Sequence, residues 1–178
     1  MISQERQEIL PPKETLKKLG LKKGATVADI GAGIGYFSLP AAQIVGSEGL
    51  VYALDTSEEM LGALEEIVKE EGLANLKLVK SSEYDAQLED AVDFILISSV
   101  IHEVEDKQQF FANYLDKLKL DGALAIIEWK KEEMESGPPL EIRVSTEELA
   151  EILSQFGMKI VKELALNDQQ YAILSERN

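Results

Sequence analysis

The chain has no cysteine and a single histidine among its 178 residues. Without cysteine there can be no disulfide, no thiolate metal site and no cysteine nucleophile. The lone imidazole, His102, leaves too few nitrogen ligands for a multi-histidine zinc or iron centre, although carboxylates could still take magnesium or calcium, and no resident metal is expected. Basic residues are also scarce: 18 Lys and Arg against 33 Asp and Glu give a net charge of −15. That charge repels a phosphate backbone or an anionic bilayer, so neither nucleic acid nor a membrane surface is expected as partner. Nowhere is there an 18-residue apolar run, and the opening "MISQERQEILPP" lacks a basic-then-apolar signal pattern. No stable membrane insertion and a cytoplasmic location are therefore the expectations.

What is present is the composition of a packed globule, with 45% hydrophobic residues spread along the whole length. One domain over residues 1–178 is expected, with a short helical lead-in over about residues 1–25. Short β-branched runs alternate with helical patterns, the signature of an α/β fold with a mostly parallel sheet. Seven strands are predicted, at 26–30, 49–54, 75–80, 92–98, 122–128, 158–164 and 170–175. Three helix starts carry matched cap spacings: Thr56 with Glu59, Asp106 with Gln109, and Ser145 with Glu148. Their apolar faces are Met60, Leu61, Leu64, Ile67 and Val68; Phe110, Phe111, Tyr114, Leu115 and Leu118; and Leu149, Ile152, Leu153 and Phe156. A further short helix is expected between Pro11 and Gly20. Residues 129–144, with Gly137, Pro138 and Pro139, have neither period and read as a long loop, a kind of segment that is often functional. The last two strands are joined by "ALNDQQ", too short for a crossover helix, so they should form an antiparallel hairpin.

The chemistry-bearing stretch is "VADIGAGIGYFSLPAA", residues 27–42. An apolar strand ends at an acid, Asp29, and Gly31, Gly33 and Gly35 fall on alternate positions before a helical pattern begins. At the C-terminal end of a parallel strand this turn lies in the crevice where open α/β sheets bind ligands. Glycine there lets a cofactor approach the main chain closely. The dinucleotide fingerprint G-x-G-x-x-G places its third glycine one residue later than Gly35, so the spacing departs from the pyrophosphate cradle.

The order Asp29-Ile-Gly31-Ala-Gly33-Ile-Gly35 resembles motif I of the class I methyltransferases that use S-adenosylmethionine. Further features fall in the same order as in that family. Asp55 ends the second strand, where a carboxylate can accept hydrogen bonds from both ribose hydroxyls. Asp93 introduces the fourth strand, the pair His102-Glu103 follows it, and "LKLDGAL" is similar to the family's turn into strand five. At the end of strand three the family usually has an acid that meets the adenine amino group; here Ser82 stands there, with Glu83 next. The resemblance runs from about residue 12 to 175 and is greatest to small-molecule methyltransferases of the ubiquinone/menaquinone-biosynthesis type. It implies a Rossmann-like, doubly wound, seven-stranded sheet with a C-terminal antiparallel hairpin, S-adenosylmethionine as cofactor, and a cofactor site made of Asp29, Gly31, Ala32, Gly33, Asp55, Thr56, Ser82, Glu83 and Ser98.

The acceptor side is less determined. His102, the only side chain that ordinarily titrates near neutrality, is the candidate base, or else simply the first residue of a loop. Tyr36, Glu128, Trp129 and Arg143 are candidates for the acceptor pocket, Arg143 as a reader of an acidic substrate. A strand-four Asn- or Asp-Pro-Pro-Tyr/Phe is replaced by "SSVI", which disfavours methylation of base amines in nucleic acid. The length leaves little for a separate recognition domain, which points to a small-molecule acceptor or to a homo-oligomer whose subunits complete each other's pocket. An NAD-binding oxidoreductase and a non-catalytic cofactor-binding protein on the same fold are the competing readings.

Overall fold

The computed structural model describes residues 4–178, with side chains from Arg6 onward, so residues 1–3 of the expected lead-in lie outside the described residues. In chain order the elements are α1 (Gln4–Ile9), α2 (Pro12–Lys18), β1 (Thr26–Ile30), α3 (Ser38–Val45), β2 (Leu50–Asp55), α4 (Glu58–Glu71), β3 (Leu76–Lys80), β4 (Val92–Ser98), α5 (Lys107–Leu115), β5 (Leu118–Trp129), α6 (Thr146–Ser154), β6 (Met158–Ala165) and β7 (Gln170–Arg177). All seven strands join one sheet in the order β3-β2-β1-β4-β5-β7-β6. Strands β1 to β5 run parallel, and β7 is inserted antiparallel between β5 and β6. The chain order reverses between β1 and β4, which opens a crevice over their C-terminal ends.

Both sheet faces are covered, which explains why the central strands read as continuous apolar runs. On one face Ile95, Ile97, Leu124 and Ile126 pack with Phe110 and Phe111 of α5 and Leu149 and Leu153 of α6. On the other, Val27, Val51, Leu96 and Ile127 pack with Leu16 of α2, Ala41 and Val45 of α3 and Leu64 of α4. Among the described residues no helix is long and apolar enough to cross a membrane.

Two of the three expected caps form as read. Asp106 accepts from Gln109 N at 2.9 Å. Ser145 and Glu148 exchange both bonds of a capping box. The third cap differs: Ser57, not Thr56, caps α4 by accepting from Met60 N. Leu61 and Leu64 form the buried stripe of that helix, while Met60 is turned to solvent. The fifth strand also starts earlier than expected, at Leu118 instead of 122. Its first residues pair with Val92 across a register shift, Lys119 binds Asp93, and Gly122 lies so close to Leu118 and the Asp93 carbonyl that a side chain would collide. The stretch "LKLDG" is thus pinned as extended chain, and Leu118 is buried on a strand, not a helix.

Candidate functional site

The glycine turn leaves β1 over the crevice, and its three glycines have different roles. All three have positive φ, at 73°, 54° and 87°, a region that side chains other than glycine rarely adopt. A Cβ on Gly31 would run into Val100 Cγ2, and one on Gly35 would meet Leu64 and Leu39, so both are packing glycines. Only at Gly33 does the added atom meet nothing within 4 Å. The peptide of Gly33 is held from the side, because its N–H donates to Asp55 Oδ2 at 2.8 Å. Asp55 Oδ1 accepts from Ser57 N, also at 2.8 Å. One carboxylate therefore ties the glycine turn to the start of α4, and its remaining lone pairs are available to a ligand.

A cavity of about 710 Å³ lies beside this turn, lined by Gly31, Asp55, Thr56, Ser82, Glu83 and, across it, Ser99, Val100 and Glu103. Its floor is apolar, with Ile30, Val104 and Phe110. The size falls in the range of small-molecule sites, roughly 300 to 1,000 Å³. A cavity whose lining mixes apolar side chains with the carboxylates of Asp55 and Glu83 has the size and chemistry to take a nucleoside-bearing cofactor. Ser82, where the family usually has an acid, lines this cavity together with the next residue, Glu83.

Several expected cofactor residues stand elsewhere. Asp29 is 2% exposed and does not line the cavity. It lies under the turn, where Ser38 Oγ at the start of α3 donates to it at 2.5 Å. Burial pushes its carboxyl up to about 6, against the Ser38 bonds and with Asp55 adding to the rise. Ala32 is buried in the cluster below the turn. Ser98 is replaced at the cavity by Ser99, since strand alternation puts Ser98 on the face of Phe94 and Leu96. Ser99 has φ 56°, a strained setting for a non-glycine residue, of the kind that collects at functional sites. The doubled serine at the end of an apolar strand was the available signal.

Ser99 and Glu103 also line a second cavity, of about 540 Å³, together with His102, Trp129, Gln170 and, from the N-terminal segment, Arg6, Ile9 and Leu10. The two cavities thus meet at the residues that follow β4. Trp129 stands at the end of β5, held by Gly137 of the long loop, where a Cβ would press on its ring. His102 is 8% exposed. Its Nδ1 lies 2.8 Å from Glu128 Oε2.

Glu128 was expected in the acceptor pocket, but it is 0% exposed and lines neither cavity. Its carboxylate accepts from Ile101 N, His102 N and Trp129 N as well as facing the imidazole. Four partners satisfy a group that would otherwise be too costly to bury. With a carboxylate at Nδ1, the neutral ring carries its proton there and presents Nε2 as an acceptor. Glu103 Oε1 is 3.9 Å from Nε2. Burial disfavours the imidazolium, but the Glu128 hydrogen bond and charge, with help from Glu103 and against Lys107, hold His102 above its ordinary value.

Two other pocket candidates are engaged within the protein, although Arg143 also lines a cavity of about 490 Å³ with His102 and Lys107. The Tyr36 hydroxyl lies 2.5 Å from the Leu10 carbonyl and 3.0 Å from that of Arg6, and the Arg6 guanidinium stacks 4.2 Å over the ring. Tyr36 is an anchor for the N-terminal segment. Arg143 is 4% exposed, and its guanidinium donates to the carbonyls of Pro138, Lys130, Glu132 and Ser136. The irregular loop folds around this cation because it has no ladder of its own. Among the described residues, no three or more His, Cys, Asp or Glu gather to hold a metal ion.

A parallel sheet with one antiparallel strand inserted at β7, and a glycine-turn cavity at its switch point, defines the class I methyltransferase fold. Residues 21–176 match the family described as "Methyltransferase domain", and the chain belongs to that family. It is similar to a demethylmenaquinone methyltransferase of Listeria welshimeri, 34% identical over 117 residues that make up 65% of this chain and 50% of that one. The chain spans about half the length of the curated relatives it matches. Among solved structures it is similar to an S-adenosylmethionine-dependent methyltransferase from Aquifex aeolicus, with TM-score 0.91 and 35% identity over 97% of this chain and 93% of that one. A type 11 methyltransferase from Sulfolobus solfataricus shares the fold, with TM-score 0.76 and 24% identity over 96% of this chain and 94% of that one.

Proposed function

We propose that the chain transfers a methyl group from S-adenosylmethionine to a small-molecule acceptor by in-line displacement. The carrying observation is the cavity at the switch point, with the Asp55 carboxylate fixed at one end and the residues after β4 at the other. Asp55 would take the ribose hydroxyls, Ser82 and Glu83 the base, and Gly31 and Ser99 would border the rest. When bound, this cofactor supplies a methyl group made electrophilic by its sulfonium. The chain's own contribution is position: holding an acceptor at attack distance removes the entropy of a bimolecular encounter and excludes water.

The acceptor space on this reading is the second cavity, between the N-terminal segment, Trp129 and His102. A small molecule suits it, and the Listeria relative's name is that of an enzyme acting on one. The net charge of −15 supports an acceptor other than nucleic acid.

The test is isothermal titration with S-adenosylhomocysteine, run in parallel with NAD. Micromolar binding of the first and none of the second is the expected result. Binding of NAD alone would mean that the glycine turn cradles a pyrophosphate, and the methyl-transfer reading would fall.

A further inference from the structure

The geometry points to Glu103 as the residue that tells the methyl donor from its product: its carboxylate stands beside the sulfonium and favours cationic S-adenosylmethionine over neutral S-adenosylhomocysteine. This rests on the methyl-transfer reading above and adds a specificity-determining residue to that site.

Glu103 has a place in the fold that no other described residue shares. It lines the cavity of about 710 Å³ beside the glycine turn, the cavity of about 540 Å³ bordered by Arg6 and Leu10, and the cavity of about 490 Å³ next to Lys107 and Ile142. The first cavity has Ser99 and Glu103 in common with the second, and Glu103 and Val104 in common with the third. An in-line displacement needs the S–CH3 bond aimed at the acceptor, so the sulfonium must lie where the cofactor cavity opens into the space that holds the acceptor. Whichever neighbouring cavity that is, Glu103 stands at the opening. Of the three residues that mark the openings it alone carries a charge.

The other charged groups of the cofactor cavity have partners along its far side. Asp55 accepts from Gly33 N and Ser57 N, Glu83 Oε1 accepts from Glu105 N at 3.4 Å, and the Lys80 ammonium donates to the Thr56 carbonyl. Glu103 Oε1 lies 3.9 Å from His102 Nε2, too far for a hydrogen bond. Lys107 and Arg6 line the neighbouring cavities but not the cofactor's.

The backbone that carries Glu103 is fixed. Its N–H donates to the Val100 carbonyl at 2.9 Å and closes a turn, while Ser99 N donates to the Ile127 carbonyl of β5 at 2.8 Å. Val100 in turn lies so close to Gly31 that a Cβ there would collide with it. The turn is therefore locked between β5 and the glycine turn. The side chain itself is 75% exposed, so water and salt weaken its field, and the result is a preference between ligands, not a requirement for binding.

The two ligands share base, ribose and amino-acid groups and differ by one methyl group and one positive charge. Their affinity ratio thus isolates the sulfonium. When the methyl group leaves, the S–CH3 bonding pair stays on sulfur, the thioether is neutral and the attraction to Glu103 disappears. Spent product is then more readily exchanged for fresh donor.

The test is isothermal titration of the parent, Glu103→Gln and Glu105→Gln with each ligand separately. Glu105 lines the third cavity but not the cofactor's, so its variant controls for the change in net charge. In Glu103→Gln at low salt, the Kd for S-adenosylmethionine should rise about 3- to 10-fold relative to that for S-adenosylhomocysteine, and the difference should shrink as salt is added. Glu105→Gln should keep the parent ratio within about twofold. A ratio unchanged in Glu103→Gln, whether both affinities hold or fall together, overturns the proposal. So does an equal shift in Glu105→Gln, or a shift that salt leaves untouched. Retained S-adenosylhomocysteine binding in both variants shows that they fold, and its absence from the parent protein would instead sink the methyl-transfer reading itself.

Discussion

Replacing Asp29 by Asn should stabilise the protein at neutral pH and leave it unchanged in acid. Asp29 is buried under the glycine turn, and its carboxyl is raised from 3.8 to about 6 in the folded state. The folded protein therefore binds the proton more tightly than the unfolded chain. Such a group contributes stability that is fully present below pH 3.8 and is lost as pH rises through about 6. Two pH units at about 1.36 kcal/mol each put the loss at roughly 3 kcal/mol at pH 7, an upper figure for a fully buried acid. Asparagine keeps the shape without the charge, and its amide oxygen has two lone pairs for the Ser38 donors. Urea unfolding at pH 7 should give the variant about 1 to 3 kcal/mol more stability than the parent, and the two curves should converge near pH 4. A variant that is destabilised at pH 7, or whose gain is the same at both pH values, would refute the reasoning and return Asp29 to a role as an ionised ligand.

Three other perturbations separate site from scaffold. Asp55→Ala should weaken S-adenosylhomocysteine by on the order of 1.5 to 3 kcal/mol, roughly 10- to 150-fold by calorimetry. It should also lower stability, because Gly33 N and Ser57 N lose their common acceptor; unchanged affinity would remove Asp55 from the site. Arg143→Met should cost on the order of 3 kcal/mol and open residues 130–142 to proteolysis while cofactor affinity holds. A stable variant with a raised KM for an acidic acceptor would instead restore Arg143 as a substrate reader. Ser57→Ala should destabilise by about 1 kcal/mol and Thr56→Ala by less than about 0.5, and the reverse ranking in a thermal melt would contradict the cap at Ser57.

Much of this protein could be read before folding because its signals are local. Apolar period, cap spacing and the short connection between the last two strands depend on neighbours within a turn or two, and they led to seven strands, to the antiparallel hairpin and to two of the three caps. The glycine turn and Asp55 were legible for the same reason: both sit at strand ends, where an α/β sheet has its crevice. Side-chain partners were not legible, because they are set by register between distant strands. Pairing of β4 with β5 sets Ser98 against Ile127, and so carries Glu128 beside His102, 26 residues away in sequence. Nothing near Glu128 in the chain distinguishes a buried positioning acid from a pocket acid. Likewise the carbonyls that capture Arg143 converge only once the loop has closed, and the burial that raises Asp29 exists only when α3 packs over the turn. Local chemistry thus determined the fold class and the kind of ligand it suits. Tertiary structure decided which of the candidate side chains face a cavity and which hold the walls, since burial and hydrogen-bond geometry are properties of the packed sheet, not of any segment.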